Sequence, residues 1–286
     1  MKAPAFGYVK PRSLDEAFQL LARHGEEARP LAGGQSLLPA LNMRLSEPRV
    51  LVDLAALPEL AGIAVQGSVL RIGALVTHAE IESSPLVARH APLLARAAPH
   101  IAHHAIRNLG TLGGSVAHAD PAAEWPACLV ALEGVVVARG AGGERRIPAR
   151  DFFIGLYRTA LAAGEIVAAC EVPLHAEGDL VAFDEFARRR GDFAIVGLAL
   201  ALRREAQALR RVRLAFLGVG STPVRVPRTE AVLEGKAAPK AAQLDQAIDT
   251  LRDEIDPPAD LTHSSATKRH LACVLARRML TAALAA

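Results

Sequence analysis

The chain has 286 residues, 51% of them hydrophobic and 22% charged, with 33 basic side chains against 30 acidic ones spread along its length. That is enough apolar material for a sizeable core and enough length for two domains. A net charge of +3 with no long basic run disfavours nucleic acid as a partner.

MKAPAFGYVKPRS at the amino terminus lacks the apolar centre of a secretory signal. The longest apolar run, Phe193 to Leu202, is too short to cross a bilayer, so a cytoplasmic location without a membrane span is expected. Ser13 reads as the N-cap of a helix with Leu14, Ala17, Phe18 and Leu21 on one face and Asp15 and Glu16 in its first turn, ending near Gly25. An apolar stretch over 30–32 enters AGGQSLLPALNMRL (32–45), a turn followed by a helical pattern from about Leu37 to Leu45, and RVLVDL (49–54) reads as a buried strand. From Gly62 the pattern is a hairpin turning at Gln66 and Gly67, after which Thr77 and Glu80 form a capping box. There follow an alanine-rich helix over 86–98, a loop HIAHHAIRNLGTLGGSVAHADP (100–121), a helix from about Ala122 to Leu132, a hairpin around GAGG (140–143) and the strand EIVAACEVPL (165–174). Polar HAEGD (175–179) marks a domain boundary, dividing the chain into 1–176, with subdomains of about 1–56 and 57–176, and 177–286. In the second domain, strand-like runs near 180–188, 196–204 and 209–218 precede helices near 228–235, 241–254 and 264–283, so the fold class is α+β.

Two segments carry the chemistry. Gly33 and Gly34 are followed by Gln35 and Ser36; Gly110, Gly113 and Gly114 are accompanied by Thr111 and Ser115. Turns without Cβ atoms leave successive backbone N–H groups free and let an anion approach, and a helix starting behind the turn adds its positive end. A diphosphate suits such donors without any lysine. The competing explanation is two tight turns that use glycine for left-handed backbone angles. Other nucleotide motifs fail: there is no GxxxxGK[ST], and Gly218-Val219-Gly220 and Gly140-Ala141-Gly142 are followed three residues on by Pro223 and Arg145, not glycine.

AGGQSLLPALNMRL, IRNLGTLGGSVAHADPAAEWPA and FARRRGDFAIV, in this order and spacing, resemble the FAD-binding medium subunit of the molybdenum hydroxylases, the xanthine oxidase and carbon monoxide dehydrogenase family. The resemblance spans nearly the whole chain. It implies the α+β FAD-binding fold of the vanillyl-alcohol oxidase (PCMH) type in two subdomains, with a carboxy-terminal domain of a small antiparallel sheet and helices. It implies FAD as cofactor, with Ala32, Gly33, Gly34, Gln35, Ser36 and Leu37 on one side of the diphosphate and Thr111, Gly113, Gly114 and Ser115 on the other. By alignment, Glu124 bonds the adenosine ribose, and Ile101 and Val167 lie beside the isoalloxazine. Phe193 falls near the flavin ring or, alternatively, is a core phenylalanine at a strand start. No residue of this chain is implied as acid, base or nucleophile. The implied partners are a large subunit with the molybdopterin cofactor and a small [2Fe-2S] subunit, as a dimer of heterotrimers. Electrons would pass from the clusters to FAD and on to an external acceptor.

Some positions depart from the family pattern or admit two readings. Many relatives carry a lysine near the start of the third motif, where this chain has Asp184 and Glu185. Arg188, Arg189 and Arg190 are either a solvated face or a shaper of acceptor approach. His100, His103 and His104, with His118 and Asp120 beyond, have ligand-like spacing but no complete ligand set, so polar lining of the flavin cleft is expected and no metal. Trp125 and Pro126 read as packing. Cys128, Cys170 and Cys273 are scattered and odd in number, which argues against a disulfide framework, a CxxC pair or an inserted iron-sulfur cluster and predicts buried thiols. Two other functions are open to a chain of this pattern: a stand-alone FAD-dependent oxidase or reductase of the same fold, and a scaffold without flavin, against which the intact glycine turns speak. The compact carboxy-terminal segment, rich in Ala, Leu and Arg, favours docking to partners over enclosing a substrate.

Overall fold

Ser13 Oγ accepts from Glu16 N at 3.1 Å while Arg12 N donates to Glu16 Oε2 at 2.7 Å, so the first helix begins at its predicted cap. The computed structural model describes residues 2–206, 208–235 and 241–285. Strand β1 (Gly7–Val9), helix α1 (Leu14–His24), strand β2 (Ala28–Leu31), helix α2 (Leu37–Asn42) and strand β3 (Val50–Asp53) form the first unit, a parallel sheet of order β1-β3-β2. Helix α1 buries Leu14, Ala17, Phe18 and Leu21 and stops at Gly25, whose φ of +51° a side chain would strain. Helix α2 is shorter than the predicted 37–45 because the backbone turns left-handed at Arg44, φ +56°.

The second unit contains β4 (Ile63–Gln66), β5 (Val69–Gly73), α3 (His78–Ser83), α4 (Pro85–His90), α5 (Pro92–Ala97), α6 (His104–Arg107), α7 (Leu112–His118), α8 (Glu124–Ala131), β6 (Val135–Gly140), β7 (Gly143–Pro148), α9 (Ala149–Phe152), β8 (Phe153–Gly155), β9 (Arg158–Thr159) and β10 (Ile166–Pro173). Its sheet is antiparallel, in the order β4-β5-β10-β6-β7. Three predictions need correction. Gln66 pairs with Val69, so the first hairpin turns at Gly67 and Ser68 and not at Gln66 and Gly67. The single helix over 86–98 is two helices, because Pro92 lacks an N–H and pushes Ala91 to φ −144°, ψ 57°. The loop over 100–121 contains α6 and α7; Thr111 Oγ1 caps α7 by accepting from Gly114 N at 3.1 Å, outweighing the weak helix propensity of its two glycines. The capping box stands as predicted, with Glu80 N on Thr77 Oγ1 and Thr77 N on Glu80 Oε2.

The third unit is an antiparallel sheet, β11 (Asp179–Phe186), β12 (Val196–Glu205), β13 (Ala208–Leu217) and β14 (Val224–Arg225), in that order, with helices α10 (Pro227–Leu233), α11 (Ala241–Glu254) and α12 (Ser265–Ala285). Strand β12 is buried on both faces. Val196, Leu198, Leu200 and Leu202 join the core shared with the three helices, whereas Ala199 and Ala201 join the core of the second unit. Small residues on that second face let α8, buried along its whole length, lie against the sheet. This two-faced burial explains the longest apolar run in the chain.

Candidate functional site

The two glycine turns meet. A Cβ on Gly33 would overlap the Leu109 carbonyl and stand 2.9 Å from Gly110 Cα, so Gly33 is glycine because the backbone of the second turn lies against it. Gly34 has φ +72°, and Gln35 Nε2 ties the turn by donating to Gly33 O at 2.9 Å. Among the described residues, none of the backbone N–H groups of Gly33, Gly34, Gln35, Ser36 and Leu37 donates to a protein acceptor, and Ser36 makes no capping hydrogen bond. Five consecutive donors therefore stand open ahead of α2.

The second turn is built differently. Gly113 N donates to Ala74 O at 2.9 Å, Leu112 N to Val76 O at 3.0 Å, and His78 N to Gly110 O at 2.9 Å, with Thr77 bridged to Thr111. Residues 74–78 thus serve as its template. Gly114 N and Ser115 N are taken up by Thr111 Oγ1 and Thr111 O, so the expectation that both turns leave amides free is corrected: only the first does. The second turn contributes the hydroxyls of Thr111 and Ser115, and Gly114, where a Cβ would stand 2.9 Å from Thr111 Oγ1 and 3.7 Å from Ala32 Cβ. The glycines at 110 and 113 answer to protein, since Cβ atoms there would stand 2.7 Å from His78 Nε2 and 2.7 Å from Ala74 Cα.

Beneath this turn Trp125 Nε1 donates to His78 Nδ1 at 3.0 Å, both residues being buried. Burial first, and the Arg107 charge second, bring the His78 pKa down to about 4, so the ring is neutral with its proton on Nε2. Trp125 is the packing residue expected of it; nothing in the sequence signalled His78 or the 74–78 template.

The remaining predicted residues fall around these turns. Buried Arg107 donates to Ile101 O at 3.1 Å and Ala102 O at 3.0 Å and pairs with Glu82 at 2.8 Å, holding a bend whose Ala102 has φ +45°. The third motif abuts this bend: Gly191, φ +86°, leaves a Cβ position only 2.7 Å from His103 Nδ1. Phe193 is 75% exposed, which excludes the core alternative. Val167 sits at a bulge in β10, and the adjacent Ala168 O accepts from Ala74 N at 2.9 Å, one link from Gly113. Glu124 opens α8, is only 8% exposed, and has its pKa pushed up to about 8 by burial and then by the charges of Glu185 and Asp120.

Several side chains left open in the sequence find partners. His100 packs edge-on against Phe183 and lies 3.7 Å from Glu185. Asp184 is paired with Arg278, while exposed Arg188 and Arg189 share Asp192. Among the described residues no group of three His, Cys, Asp or Glu side chains is placed to hold a metal ion, and no helix is long and apolar enough to cross a membrane. Cys128, Cys170 and Cys273 are buried, and burial pushes the Cys170 thiol up to about 12.

Open amides at a helix start, in a turn packed against one that carries hydroxyls, fit a dinucleotide diphosphate and need no lysine. Residues 4–175 match the model of the FAD binding domain in molybdopterin dehydrogenase, and residues 181–283 that of the CO dehydrogenase flavoprotein C-terminal domain. The nicotine 6-hydroxylase medium subunit of Paenarthrobacter nicotinovorans is 42% identical over 94% of each chain. The carbon monoxide dehydrogenase medium chain of Hydrogenophaga pseudoflava is 38% identical over 99% of this chain and 98% of its own. A solved structure of carbon monoxide dehydrogenase from the same organism superposes with a TM-score of 0.96 at 38% identity, over 100% of this chain and 99% of that one. The chain therefore belongs to the family of FAD-binding medium subunits of the molybdenum hydroxylases, as an oxidoreductase subunit.

Proposed function

We propose that the chain holds FAD with its diphosphate between residues 32–37 and the 111–115 turn, and passes electrons from the [2Fe-2S] clusters of a small partner subunit to an external acceptor. The observation that carries this reading is the row of open amides from Gly33 to Leu37 in a turn whose Gly33 lies against Leu109 and Gly110 and whose Ala32 lies beside Gly114. In this reading Glu124 receives the ribose, and Ile101, Val167 and Phe193 lie along the isoalloxazine; burial of the first two suits a packed edge and exposure of Phe193 suits a surface reached by a second protein or an acceptor. Bound FAD supplies a carrier that takes up electrons one or two at a time. The chain's own contribution is positional: amides and hydroxyls bind, Arg107 shapes the bend at Ile101, and the Thr111 cap and the 74–78 template keep the second turn from moving. The large subunit with the molybdopterin cofactor and the small cluster subunit complete a dimer of heterotrimers, and the chain divides into an FAD-binding domain, 1–176, with subdomains of about 1–56 and 57–176, and a carboxy-terminal domain, 177–286.

The test is Gly114→Val. A branched side chain there would crowd Ala32 and Thr111 Oγ1, the cap of α7, so the folding check is part of the test. The wild-type protein is expected to purify yellow and release FAD in acid; the variant is expected to purify folded, by circular dichroism, and without flavin. Full flavin content in the folded variant would contradict the site.

A further inference from the structure

One buried side-chain polar atom among the described residues has no hydrogen-bond partner, and it is Glu185 Oε2. Its side chain is 5% exposed on β11, and its other oxygen lies 3.7 Å from His100 Nδ1, beside the Ile101 bend. Across from it stands Glu124 at the start of α8, close enough that Glu185 contributes to the rise in the Glu124 pKa. Leaving a buried acceptor unpaired is expensive, and an acidic side chain far more readily lies on the surface. A carboxylate accepts and never donates, so what is missing is a donor.

We propose that Glu185 is a second acidic residue of the cofactor site, whose Oε2 accepts a hydroxyl or N–H group of the bound dinucleotide. The inference rests on the flavin reading above. Its support is position: Glu185 is buried 3.7 Å from His100, its charge reaches Glu124, and it belongs to the strand leading into the Gly191–Phe193 motif. Beyond its diphosphate, a flavin dinucleotide carries donor groups that are neutral: ribose and ribityl hydroxyls, the adenine amino group and the ring imide. Those are the donors an orphaned carboxylate accommodates without a counter-charge.

Glu185→Leu separates this role from a structural one. In the cofactor-free protein it removes an unpaired buried acid, so the melting temperature is expected to hold or rise; FAD affinity, measured by quenching of flavin fluorescence on titration with apoprotein, is expected to fall about tenfold. Glu185→Gln keeps an acceptor oxygen and is expected to retain most of the affinity. Unchanged affinity in Glu185→Leu overturns the proposal, and so does a parallel loss of apoprotein stability and affinity with no rescue by Gln. Gly114→Val run alongside tells the two readings apart: if it keeps FAD, the flavin site itself is misplaced; if it loses FAD while Glu185→Leu binds normally, only the role of Glu185 fails.

Discussion

Glu124 is where burial changes chemistry at the scale of one side chain. Its carboxyl is pushed from an ordinary 4.5 up to about 8, chiefly by burial. Between those values the folded chain keeps a proton that the unfolded chain gives up, so the native state binds more protons and stability falls with rising pH. This residue's cost is absent below about pH 4.5 and complete above about pH 8. Denaturant unfolding of the cofactor-free protein across that range is expected to show a decline that Glu124→Gln flattens; an unchanged slope in the variant would show that the acid is solvated. The glycines teach a related lesson. In the sequence Gly33 and Gly113 read as room for a ligand, yet each makes room for backbone, at Leu109 and Ala74. Only a three-dimensional neighbour distinguishes those cases, and such a neighbour leaves no mark in a single sequence.

The elements that were legible are those whose signals are local. Ser13, the Thr77 and Glu80 box, the GAGG hairpin and the strand-like run near 196–204 all stand as read, because caps, turns and apolar patterns act within a few residues. In the sequence the second turn reads as a loop, because two glycines mask a helix start that depends on one hydroxyl. That hydroxyl is testable: Thr111→Ala is expected to cost about 1 kcal/mol, lowering the melting temperature by roughly 2–4 °C in a chain of this size. Ser36→Ala, at a helix start with no capping hydrogen bond, is the matched control and is expected to leave melting unchanged. Equal losses in the two variants would remove the argument that the Thr111 cap shapes the site. The 74–78 template was invisible for a different reason, since its carbonyls are backbone groups that any residue type would supply.

At the scale of the molecule, the carboxy-terminal sheet stands between two cores, because the face of β12 and β13 that carries Ala199, Ala201 and Ala215 packs on α8 while the other face packs on the three carboxy-terminal helices. The third motif on the far unit is thereby held against the bend at Ala102 and His103, 88 residues earlier in the chain. The three motifs made the family legible; their unequal roles were not, since the first turn offers open amides and the second has nearly spent its own on protein. Hydrogen exchange with and without FAD tests that division most directly. The amides of Gly33 to Leu37 are expected to exchange at least tenfold more slowly when FAD is bound, while those of Gly113 to Ser115, already bonded, change little. Tight FAD binding with exchange at 33–37 unaltered would contradict the account.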